Sequence, residues 1–341
     1  MTDEPTPNET GLTIGVTGNS IEIKVRSRFV RAWDYFFGAK AEFKGLGIER
    51  EILLARTKQA NEAKIIDALG DAAVERIKSD RSLAEVLVDS HFNGVMREQT
   101  NLAATLQKAE EQTRLLPPPS NHPVDGSEGA EIEDDFLNMW GHYAKSASSE
   151  RMRTFLGRIL AGEAQQPGSF SFSTLRVAAE LDASTATIFK NEANQRLAHA
   201  LVRDTEDDTD VNPYVTLEAA GLIQGVGSML TANYDLRTTG ILDLASGSFR
   251  ITMQLIDRSA TKLPVPIYPL TKVGKELASI LPRDHERGLR LIAKTCADQC
   301  SDIKLMVRPE PTSNAVYPGG SPWVVLEVLK QQQPPVETAV S

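Results

Sequence analysis

The residues best placed by type and spacing to do chemistry are Glu163, Ser169 and Ser171. They lie in Leu160-Ala161-Gly162-Glu163 and Pro167-Gly168-Ser169-Phe170-Ser171, with Thr174-Leu175 just beyond. A carboxylate and two hydroxyls so close in sequence are a base and nucleophiles in outline. Gly168 and the helix start that follows offer N–H groups to an anion. An anion site also wants a cation, and Arg158 and Arg176 are the nearest. The same residue types also stop one helix, turn the chain and cap the next, since Gly ends helices and Ser starts them. That structural reading is the one adopted for this run.

Other candidate groups are scattered. Cys296 and Cys300 stand four apart, on one side of a helix, but zinc wants four ligands and the nearest histidine is His285. Two buried apolar thiols are the simpler expectation. Asp204-Thr-Glu206-Asp207-Asp208-Thr-Asp210 alternates carboxylates like a calcium loop. Thr209 stands where the turn needs Gly and Val215 where the bidentate Glu belongs, so a solvated acidic loop is expected. The five histidines form no H-E-x-x-H pair, and there is no Walker loop, G-x-S-x-G or strand-linked G-x-G-x-x-G. No catalytic, cofactor or metal residue is assigned, and a non-enzymatic protein is expected.

The elements that position these groups follow from periodicity. Phe136, Met139, Trp140 and Tyr143 mark a helix starting near Asp134-Asp135. Met152, Phe155, Leu156, Ile159 and Leu160 form the stripe of a second, starting at Ser149 with Ser148 as its cap. Ser171 caps a third, with Phe172, Leu175, Ala178 and Ala179 inward. Asp182 caps a fourth, carrying Ala186, Phe189, Ala193, Leu197, Ala200 and Leu201. Short connections make these a bundle.

Taken together, Trp140, Leu160-Ala161-Gly162-Glu163, Pro167-Gly168-Ser169-Phe170-Ser171, Thr174-Leu175 and Phe189 resemble a bacterial family catalogued as domain of unknown function 2806. Leu217 to Ile223 and Pro269 to Leu277 are similar to it as well, so the likeness runs over roughly residues 40–281. It implies no activity and no catalytic residues. A weaker guess, suggested only by this kind of family, is a role in bacterial stress or defence.

Upstream, residues 21–25 alternate as a short strand or extended arm. Arg26 to Phe37 sets basic groups beside four aromatics, which suits either a membrane surface or packing on its own domain or on a neighbouring subunit. Residues 48–114 hold no proline and two glycines, Gly70 and Gly94, and read as one long helix or two. A helix this polar leans on a partner, so self-association through 21–114 is expected.

Downstream, a short helix at 216–221 is followed by a hairpin of Ile241–Ala245 and Phe249–Leu255 about Ser246-Gly247. Then come an edge strand Val265–Leu270 with three prolines, helices capped by Thr271 and Asp284, and strands Ile303–Val307 and Trp323–Leu329. This order suggests a winged-helix-like part, on which Arg250, Arg258 and Lys262 are the candidate nucleic-acid contacts.

The expected fold is therefore α+β and mostly α: a long N-terminal helical arm, a central bundle and a winged-helix-like C-terminal part with short antiparallel strands. The segments are a disordered start at 1–20, the arm at 21–116, a Pro/Gly linker at 117–130, the bundle at 131–210, the α+β part at 211–330 and a tail at 331–341. Net charge is −9, divided as −4 over 1–130, −7 over 131–223 and +2 over 224–341. No region has the basic excess of backbone-driven nucleic-acid binding. Two cysteines, a polar start and no long apolar run point to the cytoplasm. The function expected is a self-associating interaction or regulatory protein presenting the acidic bundle to a protein partner. The alternatives are a nucleic-acid-binding regulator and a peripheral membrane protein.

Overall fold

A computed structural model of the protein describes residues 20–38, 81–115, 130–204, 211–237, 239–308 and 322–331, with side chains omitted at 20–23 and 81–89. The chain divides into two compact units, Met1–Ser169 and Phe170–Ser341. The division falls inside the stretch expected to be one bundle.

The first unit contains four described helices: α1 (Ser20–Phe37), α2 (Arg81–Thr113), α3 (Asp134–Ser146) and α4 (Glu150–Gln165). Residues 21–25 are the first turns of α1 and not a strand. Helical spacing puts Val25, Phe29 and Ala32 on one buried face, a gain that alternation over five residues does not reveal. In α2, buried Leu102, Leu106 and Ala109 share a face with Asn101, Thr105 and Gln112. The partner this polar helix requires includes α3 and α4 of its own chain. Residues 39–80, with the seam suggested around Ile48 to Ala73, lie outside the described residues, as do 116–129 of the expected linker.

In α3 the buried stripe is Phe136, Leu137, Trp140 and Ala144, whereas Met139 is 40% exposed; the stripe is rotated by a residue from the expected one. In α4 the cap is Ser149, which accepts the Met152 N–H at 3.2 Å, so the helix starts one residue later than expected. Leu156, Ile159 and Leu160 are buried as expected, while Met152 and Phe155 are half-buried.

The second unit holds α5 (Phe172–Glu180), α6 (Ala183–Asn194), β1 (Ala200–Val202), α7 (Asn212–Ala219), β2 (Thr231–Asp235), β3 (Ile241–Ser246), β4 (Phe249–Leu255) and β5 (Lys262–Pro269). It continues with α8 (Lys272–Ser279), α9 (His285–Thr295), β6 (Cys300–Val307) and β7 (Val324–Gln331). The protein is thus α+β and mostly helical. Asp182, Thr271 and Asp284 cap their helices by side-chain hydrogen bonds, as expected. Phe172, expected inward, is 47% exposed. Helix α6 stops at Asn194, so Leu197, Ala200 and Leu201 are buried in the bridge and strand that follow, not on a helix. Helix α7 starts four residues earlier than expected, with Pro213 in its first turn.

The strands form two antiparallel sheets, ordered β1-β5-β2 and β3-β4-β6-β7. The proline-rich β5 is central in its sheet, not an edge. Its halves pair with different strands, however: 267–269 with β1 and 262–266 with β2. The prolines take part as acceptors; the carbonyls of Pro266 and Pro269 receive the N–H groups of Arg203 and Gln224 at 3.0 Å. The hairpin β3–β4 is present as read, but it is no free wing, because β4 is paired on its other side to β6. Helix α9 packs across this sheet, with Leu289, Ile292, Ala293 and Cys296 in one core with Ile251, Met253, Ile303 and Leu305.

Gly274 marks the tightest approach. A Cβ built there lies 1.9 Å from the carbonyl oxygen of Leu222. Alanine normally favours a helix interior over glycine by about 1 kcal/mol, but overpacking against backbone costs about 1–3 kcal/mol. Gly274→Ala is therefore expected to destabilise the protein by roughly 1–2 kcal/mol in urea unfolding, the reverse of the helix-propensity order.

Candidate functional site

The run from Gly162 to Thr174 joins the end of α4 to the start of α5, and the side chains of Glu163, Ser169, Ser171 and Thr174 each have a partner. In the first unit, Glu163 is buried and its Oε1 accepts the Gly168 N–H at 2.5 Å. Gly168 sits at φ +82°, a turn conformation that favours glycine. The Ser169 hydroxyl donates to the carbonyl of Gln166. Arg28 of α1, itself buried, donates to the last carbonyls of α4, at Ala164 (2.8 Å) and Gln165 (3.2 Å), and to Ala130 (3.1 Å). Burial pushes the Arg28 guanidinium pKa down, opposed by the charges of Glu163 and Glu131. Trp140 is fully buried and donates its indole N–H to the Leu156 carbonyl at 2.9 Å. Leu160 and Ala161 are wholly buried.

In the second unit, the start of α5 does bind an anion, and the anion belongs to the chain. Glu276 Oε2, from α8, accepts the Ser171 N–H at 2.8 Å, the Ser171 hydroxyl at 3.0 Å and the Thr174 hydroxyl at 2.5 Å. Ser171 is thus the N-cap residue by position, but its own side chain caps no N–H. The carboxylate comes from more than a hundred residues away, and no local pattern announces it. Phe170, Leu175 and Phe189 are buried. The polar groups at the start of α5 are thus engaged within the chain. Arg158 donates to Gln112 at 2.7 Å.

The basic aromatic segment is likewise engaged within its own unit. Arg31 pairs with Glu131 (2.6 Å) and Asp134 (2.8 Å), and the ring of Phe36 lies 5.7 Å from that of Trp140. Among the described residues no helix is long and apolar enough to cross a membrane. The acidic loop falls at 205–210, outside the described residues; Asp204 pairs with Lys294 at 2.7 Å.

The three candidate nucleic-acid contacts are not brought together. Arg250, near the start of β4, stacks over Trp323 at 4.4 Å and pairs with Asp243 at 3.4 Å. Arg258 follows the other end of β4, about five residues or ~17 Å along the strand. Exposed Lys262 opens β5 opposite Asp235. Arg308, whose guanidinium also lies over Trp323, at 4.7 Å, is a cation that sequence reading missed.

Cys296 and Cys300 are free and buried, and burial holds their thiols protonated, pushed up to about 12 and about 11. No group of three or more His, Cys, Asp or Glu is arranged for a metal among the described residues. One pair that patterning missed is Ser246 Oγ and His285 Nδ1, 2.8 Å apart. A hydroxyl beside an imidazole is a nucleophile pair in outline. Ser246 is buried, however, and neither residue lines the cleft around Tyr214 and Arg290 or the one around Arg237 and Arg258. The larger cleft, about 460 Å³, is lined by charges of which all but Arg287 pair within the unit. Tyr214 donates to Glu192 at 3.1 Å, Lys294 meets Asp204, and Arg290 meets Glu286 and Glu327 at 2.8 and 2.7 Å.

The chain has an α+β, mostly helical fold, and the motif's side chains have partners within it. Residues 94–209, about a third of the chain, match the model of a family described as "Protein of unknown function (DUF2806)". Every motif residue from Trp140 to Phe189 lies inside that stretch, whereas 217–223 and 269–277 lie beyond it. No curated protein and no solved structure matches the chain.

His285 gives this region a pH signature. Desolvation, with help from Arg283 and Arg196, lowers its pKa below the ordinary value, which is about 6.5. The fold therefore prefers the neutral imidazole, and the contribution is present above that ordinary value and lost as pH falls through it. Denaturation midpoints measured between pH 8 and pH 5 are expected to fall on acidification, and to fall less steeply in His285→Gln.

Proposed function

We propose that this is a self-associating, non-catalytic interaction protein, and that β7 is the strand through which it associates. The observation that carries this is the exposure of β7. Val324, Val325, Leu326 and Val328 are each 45–50% exposed, on a strand that ends its sheet and, among the described residues, pairs only with β6. A free edge of N–H and C=O groups flanked by aliphatic side chains is a template for another strand. The occupant proposed is the β7 of a second copy, added antiparallel about a two-fold axis. The charged groups Glu327 and Lys330 are turned to their own unit, to Arg290 and to the Ala297 carbonyl, each at 2.7 Å, which leaves the aliphatic side chains to make the contact.

The described part of the arm supports the same shift of emphasis. The apolar face of α1 and the buried face of α2 are occupied within their own unit, so 21–38 and 90–114 offer less free surface than their sequence suggests. Two register shifts between β6 and β7 shorten the run available for regular pairing. Covering four half-exposed aliphatics in each copy contributes about 1 kcal/mol apiece. That is comparable with the 4 kcal/mol or more that association costs, so a concentration-dependent dimer is expected.

Light scattering on the full chain across a dilution series tests this. The wild type is expected to pass from dimer to monomer on dilution, and Val325→Lys with Val328→Lys to be monomeric throughout. A monomer at all concentrations, or an oligomer indifferent to the double substitution, would overturn the assignment to β7.

A further inference from the structure

A second cleft, about 420 Å³, lies between the β2–β3 connection and the β4–β5 loop. It is lined by Arg237, Thr239, Arg258, Ser259 and Thr261 with two apolar neighbours, and by no carboxylate among the described residues. We infer that this cleft is an oxyanion site that takes a phosphate group, either as a small phosphate or as part of a nucleic-acid backbone. The inference is independent of the self-association reading.

Four observations carry it. First, the two arginines come from different loops, so the lining converges on one sign of charge. Arg258 is exposed and makes no ion pair among the described residues. Arg237 engages Asp243 at 2.8 Å through one guanidinium nitrogen and is 71% exposed. An Arg guanidinium has five N–H donors in a planar fork, so Arg237 retains donors for a second acceptor.

Second, both loops are braced. The Leu236 N–H donates to the Thr261 carbonyl at 2.9 Å, tying one loop to the other. Arg237 and Ile241 close the turn at 2.7 Å, and Gln254 Nε2 donates to the carbonyls of Thr239 and Gly240 at 2.8 and 3.3 Å. A braced cleft loses little freedom on binding.

Third, Thr239 is held at φ +79°. A β-branched residue rarely adopts that conformation, which costs about 1–3 kcal/mol and persists only where the surroundings impose it.

Fourth, besides Asp243, which meets Arg237, the carboxylate beside Arg258 is already turned to a local task. Asp257 accepts the Ser259 N–H at 2.9 Å and its hydroxyl at 2.6 Å. These bonds hold its pKa below the usual carboxylate range. The Ser259 hydroxyl is therefore engaged, and the Thr239 and Thr261 hydroxyls are the donors left to join the two guanidinium groups. A charge-assisted pair with hydroxyl support suits phosphate better than a carboxylate, which has fewer oxygens to satisfy.

The test uses the full chain with two probes: radiolabelled orthophosphate in equilibrium dialysis, and a labelled single-stranded oligonucleotide in fluorescence anisotropy at two salt concentrations. Arg258→Ser and Arg237→Ser are compared with wild type, with Lys262→Ser as a control outside the cleft. Melting curves confirm that each variant folds. Saturable binding of either probe that weakens about tenfold in each arginine variant and not in the control supports the site. Binding of orthophosphate alone assigns it to small phosphates, while salt-dependent oligonucleotide binding alone assigns it to a nucleic-acid backbone. No binding of either probe, or binding that both arginine variants leave unchanged, overturns the inference.

Discussion

A single carboxylate oxygen, Glu276 Oε2, receives three hydrogen bonds at the start of α5 and so engages the polar groups that the motif places there. A helix start leaves N–H groups without partners, and such groups attract anions. Here the anion is a side chain of the same fold. With Ser171 and Thr174 directed at Glu276, the second unit gains a fixed connection between α5 and α8, and an external ligand meets groups that are already satisfied. The first unit applies the same rule at the opposite kind of helix end. Arg28 closes the carbonyls of α4, and Glu163 closes the turn that follows.

Function therefore has to be sought away from the motif. Residues that look reactive in one dimension are engaged: Glu163, Ser169 and Ser171 with their neighbours, Arg28 and Arg31 with helix ends and carboxylates, Cys296 and Cys300 in the core. What is left free is different in kind. Among the described residues it includes an aliphatic edge strand at β7 and a cleft with two arginines on loops at the end of β2 and β4. Both belong to the second unit, and both lie outside the stretch that matches the family model.

Local signals were legible in the sequence. The caps Asp182, Thr271 and Asp284, the hairpin about Ser246-Gly247 and the buried stripe of α9 all follow from rules that span four residues or fewer. Signals that depend on a distant partner were not. Nothing near Ser171 points to Glu276, and nothing near Arg28 shows that its guanidinium meets Ala164 and Gln165. Faces were misjudged where an apolar residue sits at the rim of a stripe, as with Met139 and Phe172, because periodicity fixes spacing but not the angle at which the partner lies. The prolines of β5 suggested an edge because a central strand usually donates on both sides; splitting the pairing between β1 and β2 removed that demand. At the candidate site, the identity of the motif residues was legible and their partners were not.

The central claim, that the motif is a joint held by Glu276, is tested most directly by a double-mutant cycle on Thr174→Val and Glu276→Ala, measured by denaturant unfolding. The account predicts that each single variant is destabilised and that the two are coupled by about 1 kcal/mol or more, since they remove the same interaction. Additive effects, or single variants as stable as the wild type, would contradict it and return Ser171 and Thr174 to the pool of residues free to meet a ligand.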